Sequence, residues 1–213
     1  MPESSTTPRK RANGIAAREK ILDAAVLIAT ERGYEGTSMA LVSKRSGLPA
    51  SSIYWHFKNK DDLIAAVIER SFGDWLQALT EVAPPPEGHS EEDFVAFQAA
   101  QLTHSLEAAP DFLRLGLMLA LEHHPEDPTA RRTFLEVRSQ AMANSVASYA
   151  RAFPEFDQQE LEQLASFTIA LADGFFVSRQ VDDAAHDLLG RQDLYQAAVL
   201  GVVRMLRNKS VQA

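Results

Sequence analysis

The densest grouping of recognition chemistry in this chain lies between Thr37 and Lys60. A short helical period over Pro49–Phe57 has Ile53 and Phe57, four apart, on its inner side. Ala50, Ser51, Ser52, Tyr54, Trp55 and His56 occupy the other side. Small residues at the start of a short helix, with aromatic and hydrogen-bonding groups beyond them, suit entry into a major groove of DNA. Bond-making chemistry is harder to find. The chain has no Gly-x-Ser-x-Gly, no phosphate-cradling Gly-rich run and no His-Glu-x-x-His. His123-His124 has the look of a metal pair. Adjacent helical residues point about 100° apart, however, and nothing at i+4 completes a ligand set. No metal site and no cofactor are expected.

A second grouping has the pattern of a small-molecule site. On a helix over Ser90–Ala109, Phe94, Phe97, Gln101, His104 and Ala108 form one stripe, in which Gln101 and His104 are the polar members. An effector site needs a few such groups in an apolar wall to orient a ligand. A pair of satisfied or edge-exposed polar residues gives the same pattern. Phe112, Met142, Tyr149, Phe175 and Phe176 are further expected lining residues.

These groups must be held by helices. Ile21, Leu22, Ala25, Val26 and Ala29 recur on one helical face, and Gly33 supplies a stop. Pro84–Pro86, Pro110, Pro125 and Pro154 punctuate the remainder, since proline cannot donate an interior helical hydrogen bond. The segments between are too long for strands, and no alternating β-branched run occurs. The expectation is an all-α chain of about nine helices. Within the Thr37–Phe57 stretch, Thr37 is the expected cap of the first helix. Gly47 suits a left-handed turn residue and Pro49 a first-turn position.

Charge divides the chain. Of its 213 residues, 21 are Lys or Arg and 29 Asp or Glu, a net −8. Residues 1–60 carry ten basic and five acidic side chains, a balance of +5, which leaves −13 on residues 61–213. Met1–Asn13, with Arg9, Lys10 and Arg11, reads as a disordered basic arm. Residues 14–60 then form the basic DNA-binding domain and 61–213 an acidic body. With no cysteine there is no disulfide, thiolate metal site or thiol nucleophile. The longest apolar stretch, Leu113–Leu121, is far short of the roughly 20 residues a bilayer span requires. No apolar leader opens the chain, so a cytoplasmic protein without membrane contact is expected.

The run Thr37-Ser38-Met39-Ala40-Leu41-Val42-Ser43, then Ser46-Gly47-Leu48, then Ile53-Tyr54-Trp55-His56-Phe57-Lys58-Asn59-Lys60-Asp61-Asp62-Leu63 resembles the TetR family of transcriptional regulators. The resemblance covers about Ala16–Ile68. It implies an N-terminal three-helix helix-turn-helix domain and a C-terminal helical ligand-binding and dimerisation domain. It also implies that Thr37, Ser38, Tyr54 and His56 meet the DNA backbone, that Trp55 packs on sugar or a thymine methyl, and that Lys60 binds phosphate. Ser43 and Ser46 stand where that family usually has alanine. Ala50 and Ser51 stand where a Lys or Arg followed by Gly is common. An Arg-to-guanine contact from this helix is therefore unavailable, and affinity should lean on the arm and the flanking lysines.

In resembling proteins the last two helices of each subunit build a four-helix interface. Apolar stripes on Gln158–Gln180 and Asp193–Leu206 fit that layout. The expected interface residues are Phe167, Ala172, Phe176, Ala197, Ala198, Gly201 and Met205. The function that follows is a homodimeric repressor on a palindromic operator of double-stranded DNA, released by a small-molecule effector of unspecified identity. An all-α hydrolase or transferase and a dimeric adaptor that does not touch DNA are the rival readings.

Overall fold

The computed structural model describes residues 7–122, 128–182 and 187–210, with side chains from residue 12 to residue 208 of those ranges. His123, His124 and Pro125 lie outside them. The described residues form nine helices and no strand: α1 (Thr7–Arg32), α2 (Met39–Ser46), α3 (Ala50–His56), α4 (Lys60–Thr80), α5 (Glu91–Ala108), α6 (Asp111–Leu121), α7 (Thr129–Ala152), α8 (Gln158–Val181) and α9 (Gln192–Ser210). None is long and apolar enough to cross a membrane.

The expected arm is shorter than the composition suggests, because α1 already begins at Thr7 and carries Arg9, Lys10 and Arg11 in its backbone. Pro8 has the fixed φ that suits a first helical turn, and the Arg, Lys and Ala residues after it are good helix formers. The side chains of Arg9–Arg11 lie outside the described ones.

The chain divides into two compact units, and the division does not fall at residue 60. The first runs to Phe72 and takes in Asp111–Leu135; the second is Gly73–Pro110 with the chain from Glu136 onward. In the first unit α1 packs against α2, α3 and α6. Ile21, Leu22 and Ala25 of α1 are fully buried, as are Val42, Ile53 and Leu63. Phe112 of α6 sits between Phe72 and Phe134, at ring-centroid distances of 5.1 and 5.5 Å. Gly116 makes this packing possible: a β-carbon there would stand 2.0 Å from the Phe134 ring.

The start of α7 is held from far along the chain. Asp61, in the first turn of α4, accepts hydrogen bonds from the backbone N–H groups of Thr129 (2.8 Å) and Ala130 (3.0 Å). A carboxylate thereby satisfies donors that a helix N-terminus leaves unpaired. This attachment explains why the opening of α7 belongs to the first unit.

In the second unit α9 packs on α5 and α8. Phe94, Tyr149, Phe153 and Phe156 form a chain of ring contacts with successive centroids 5.6–6.2 Å apart. Arg207 of α9 lies 5.9 Å from both the Phe153 and Phe156 centroids. Its guanidinium donates to Glu91 at 2.9 Å and to Glu155 at 2.8 Å. Ser90 and Asp93 close a capping box on α5, and Asp157 and Glu160 do the same on α8.

Candidate nucleic-acid interface

The turn between α2 and α3 is set by Gly47, whose φ of 68° is in the left-handed region that a β-carbon disfavours. Two serines secure it. Ser43 Oγ donates to the Leu48 carbonyl at 2.7 Å, and Ser46 Oγ accepts from the Leu48 N–H at 3.3 Å. Two of the four departures from the family pattern, Ser43 and Ser46, are thus hydrogen-bonded parts of the turn. Pro49 ends it as the residue immediately before α3, outside the helix, with extended backbone.

The cap of α2 is Ser38, and Thr37 does not fill that place. Ser38 Oγ accepts from the Leu41 N–H at 3.3 Å and is exposed. Thr37 is only 2% exposed, and its hydroxyl donates to the Gly33 carbonyl at 2.8 Å. Both are good capping residues. The hydroxyl nearer α1 is drawn into the core by a carbonyl at the end of that helix, which leaves Ser38 to face outward.

On α3, Ile53 is fully buried and Phe57 nearly so, as the four-residue spacing predicts. Ala50 and Ser51 are exposed, Ser52 and His56 half-buried, and Tyr54 largely exposed. Trp55 is 76% exposed, yet its ring approaches α1 at Gly14, where a β-carbon would stand 3.9 Å from it. The His56 ring meets Trp55 edge-on at 4.5 Å. Burial, with the Arg18 guanidinium second, lowers the His56 imidazole below its ordinary range, which favours the neutral ring at pH 7. The structure brings Ser38 and the α3 residues together in one unit and withholds the Thr37 side chain from the surface.

The flanking cations differ in availability. Lys44 and Lys58 are exposed. Arg45 donates to both carboxylate oxygens of Glu31, at 2.8 and 2.9 Å. Lys60 Nζ donates to the Tyr34 carbonyl at 3.2 Å, pairs with Glu35 at 3.4 Å and lies 4.0 Å from the Tyr34 ring centroid. A phosphate at Lys60 would have to compete with that carboxylate, and Asp61 and Asp62 in the first turn of α4 oppose an anion there. No sequence spacing signals these ties, because they join residues more than ten apart.

The expected effector residues divide between the units. Phe112 belongs to the first; Phe97, Gln101, His104, Met142, Tyr149, Phe175 and Phe176 belong to the second. Gln101 Nε2 donates at 2.7 Å to the Leu79 carbonyl, one of the last four of α4 and so without a helical partner. His104 Nε2 lies 2.7 Å from Glu81 Oε2. These contacts account for both polar members of the stripe as fastenings of α5 to the end of α4 and the turn after it. Tyr149 is buried, and burial pushes its pKa up against the opposing influence of the Thr168, Tyr195 and Gln98 side chains. Gln98 Oε1 is buried without a hydrogen-bond partner.

The expected interface also needs revision. Leu161, Leu164, Thr168 and Phe175, and with them Ala165 and Phe176, are core. Phe176, at 3% exposure, is not available to a partner, and Ala172 and Ala198 are half-buried. The outward row of α8 is a third one: Phe167, Ala170, Gly174, Val177 and Val181 are all exposed. On α9, Leu194, Ala197, Gly201 and Met205 form an exposed row. A β-carbon built at Gly174 or Gly201 meets nothing within 4 Å. Among the described residues no group of three His, Asp or Glu side chains is placed to hold a metal ion.

Comparison with known proteins agrees with this geometry. Residues 21–67 match the TetR_N family, described as bacterial regulatory proteins of the tetR family. The fatty acid metabolism regulator protein of Bacillus subtilis is 31% identical over 62 residues, 29% of this chain and 32% of that protein. The transcriptional regulator AcrR of Shigella flexneri is 39% identical over 54 residues, 25% of each chain. The matched stretch therefore spans about a third or less of these relatives' length. Across the fold, the solved structure of the transcriptional regulator FadR from Bacillus subtilis in complex with stearoyl-CoA has a TM-score of 0.67 at 18% identity, covering 85% of this chain and 96% of that one.

Proposed function

We propose, from the premise that residues 21–67 are a tetR-family helix-turn-helix segment, that this protein is a homodimeric transcriptional repressor released from a palindromic operator by a small molecule. The observation that carries the DNA-binding part is the outer face of α3: Ala50, Ser51, Tyr54 and Trp55 exposed together on a helix anchored by buried Ile53 and Phe57. Exposed Lys44 and Lys58 flank it. Phosphate contacts from Ser38, Tyr54, the two lysines and the Arg9–Arg11 segment would hold α3 in the groove. The exposed apolar rows of α8 and α9 support a second copy as partner, and a symmetric dimer presents two heads to two half-sites.

Effector release needs only a ligand that binds one state better than the other. The aromatic core of the second unit, with the unpaired oxygen of Gln98 inside it, supports a ligand with an apolar body and a polar end. Stearoyl-CoA, bound by the FadR structure of similar fold, is the first compound to try.

The test is binding of the full-length protein to DNA upstream of its own coding region at 50 and 200 mM salt. If about four phosphates are neutralised, affinity falls roughly a hundredfold between the two. Absence of sequence-selective binding at low salt refutes the reading.

A further inference from the structure

We propose that α3 selects its DNA site through the 5-methyl groups of thymine, received by the Ala50 methyl and the Trp55 ring. This rests on the DNA-binding reading above and deepens it.

Each base edge in the major groove calls for a particular side chain. Arg or Lys reads guanine, Asn or Gln reads adenine, Asp or Glu accepts from cytosine, and apolar groups meet the thymine methyl. The helix Ala50–His56 contains none of the first six. Its polar exposed groups are hydroxyls, Ser51 and Tyr54, and a hydroxyl donates or accepts without choosing a base. His56 is half-buried and in ring contact with Trp55 and Phe57. Of the nearby long cations, Arg45 is paired with Glu31 and Lys60 with Glu35, while exposed Lys44 and Lys58 lie outside α3 and are assigned to phosphate in the reading above.

What α3 does expose is apolar. Ala50 is at the N-terminal end, the part of a recognition helix that reaches base edges. Trp55 lies about one turn beyond Ser51, and the residue is three-quarters exposed. Its ring meets that of half-buried His56 edge-on at 4.5 Å. A thymine methyl set against either group leaves water at no cost in unpaired polar atoms.

The experiment uses duplexes enriched from a random pool by the full-length protein, then resynthesised with deoxyuridine for thymine in the half-sites. Uracil keeps the base pairing and loses only the methyl. Binding should weaken about fourfold for each contacted methyl removed, the effect of burying one such group. Ala50→Gly and Trp55→Ala, both at exposed positions, should each erase the thymine-to-uracil difference at their own base step, with unchanged circular dichroism. Selective binding that is equal for thymine and uracil duplexes overturns the proposal and leaves the regulator reading intact. A uracil effect that persists undiminished in both variants also overturns it. Enrichment of no sequence at all overturns the proposal together with the regulator reading.

Discussion

Asp61 shows how much one side chain can connect. Burial disfavours its ionised form, but hydrogen bonds from Ala130, Thr129 and Tyr34 outweigh this and hold its pKa below the ordinary 3.8. Tyr34, half-buried beside that carboxylate, is pushed up to about 12. Asp61→Ala should cost about 0.5–2 kcal/mol of stability at pH 7, the range for loss of a helix cap. A carboxylate with a depressed folded pKa stabilises above its unfolded pKa, and that contribution is lost as pH falls through the folded value. Denaturant titrations at pH 7 and pH 3 should therefore show the gap between wild type and Asp61→Ala narrowing in acid; a constant gap would refute the role. This bond joins residues 68 apart, so no local pattern in the sequence announces it. Thr37 and Ser38 illustrate a subtler limit. Both are capping residues, and only the Gly33 carbonyl decides which hydroxyl turns inward.

At the scale of elements the sequence was far more legible. Prolines, the Gly47 turn and the 3.6-residue period marked the helices and the inner face of α3, because backbone restriction and apolar spacing act locally. Periodicity names apolar rows without saying which is covered. On α8 three rows are apolar enough to compete, and the two most hydrophobic are used by the protein's own core, leaving Phe167, Val177 and Val181 outside. Close approach was also invisible. Gly116 sits mid-helix in a run of leucines, and its purpose appears only with Phe134 pressed against it. Gly116→Ala should force that buried ring to move and destabilise the protein by about 1–3 kcal/mol, the usual cost of overpacking, despite the better helix propensity of alanine. A thermal midpoint equal to or above wild type would contradict this packing.

For the whole molecule, net charge is a poor guide to partners: the +5 of residues 1–60 is hidden beneath the −13 of the remainder. In the proposed complex with DNA, the acidic residues of the remainder would repel phosphate and favour approach by the basic N-terminal segment. The proposed self-association rests on the exposed rows of α8 and α9. Val177→Glu puts a charge in the middle of an apolar row without touching the core. It should weaken self-association by on the order of tenfold or more, as loss of a central contact does. Sedimentation equilibrium checks this; a variant as dimeric as wild type would place the interface elsewhere.

The exposed indole of α3 has an optical consequence. The chain has two tryptophans, and the structure assigns one to each unit: Trp55 to the first and half-buried Trp75 of α4 to the second. Emission from Trp55 arises in water and at the surface that duplex DNA would cover, so it carries the red edge of the spectrum and is the more open to quenching by iodide. With Trp75 replaced by phenylalanine, fluorescence becomes a label-free signal from the helix-turn-helix alone, and the cysteine-free sequence leaves every position open to a second, thiol-linked probe.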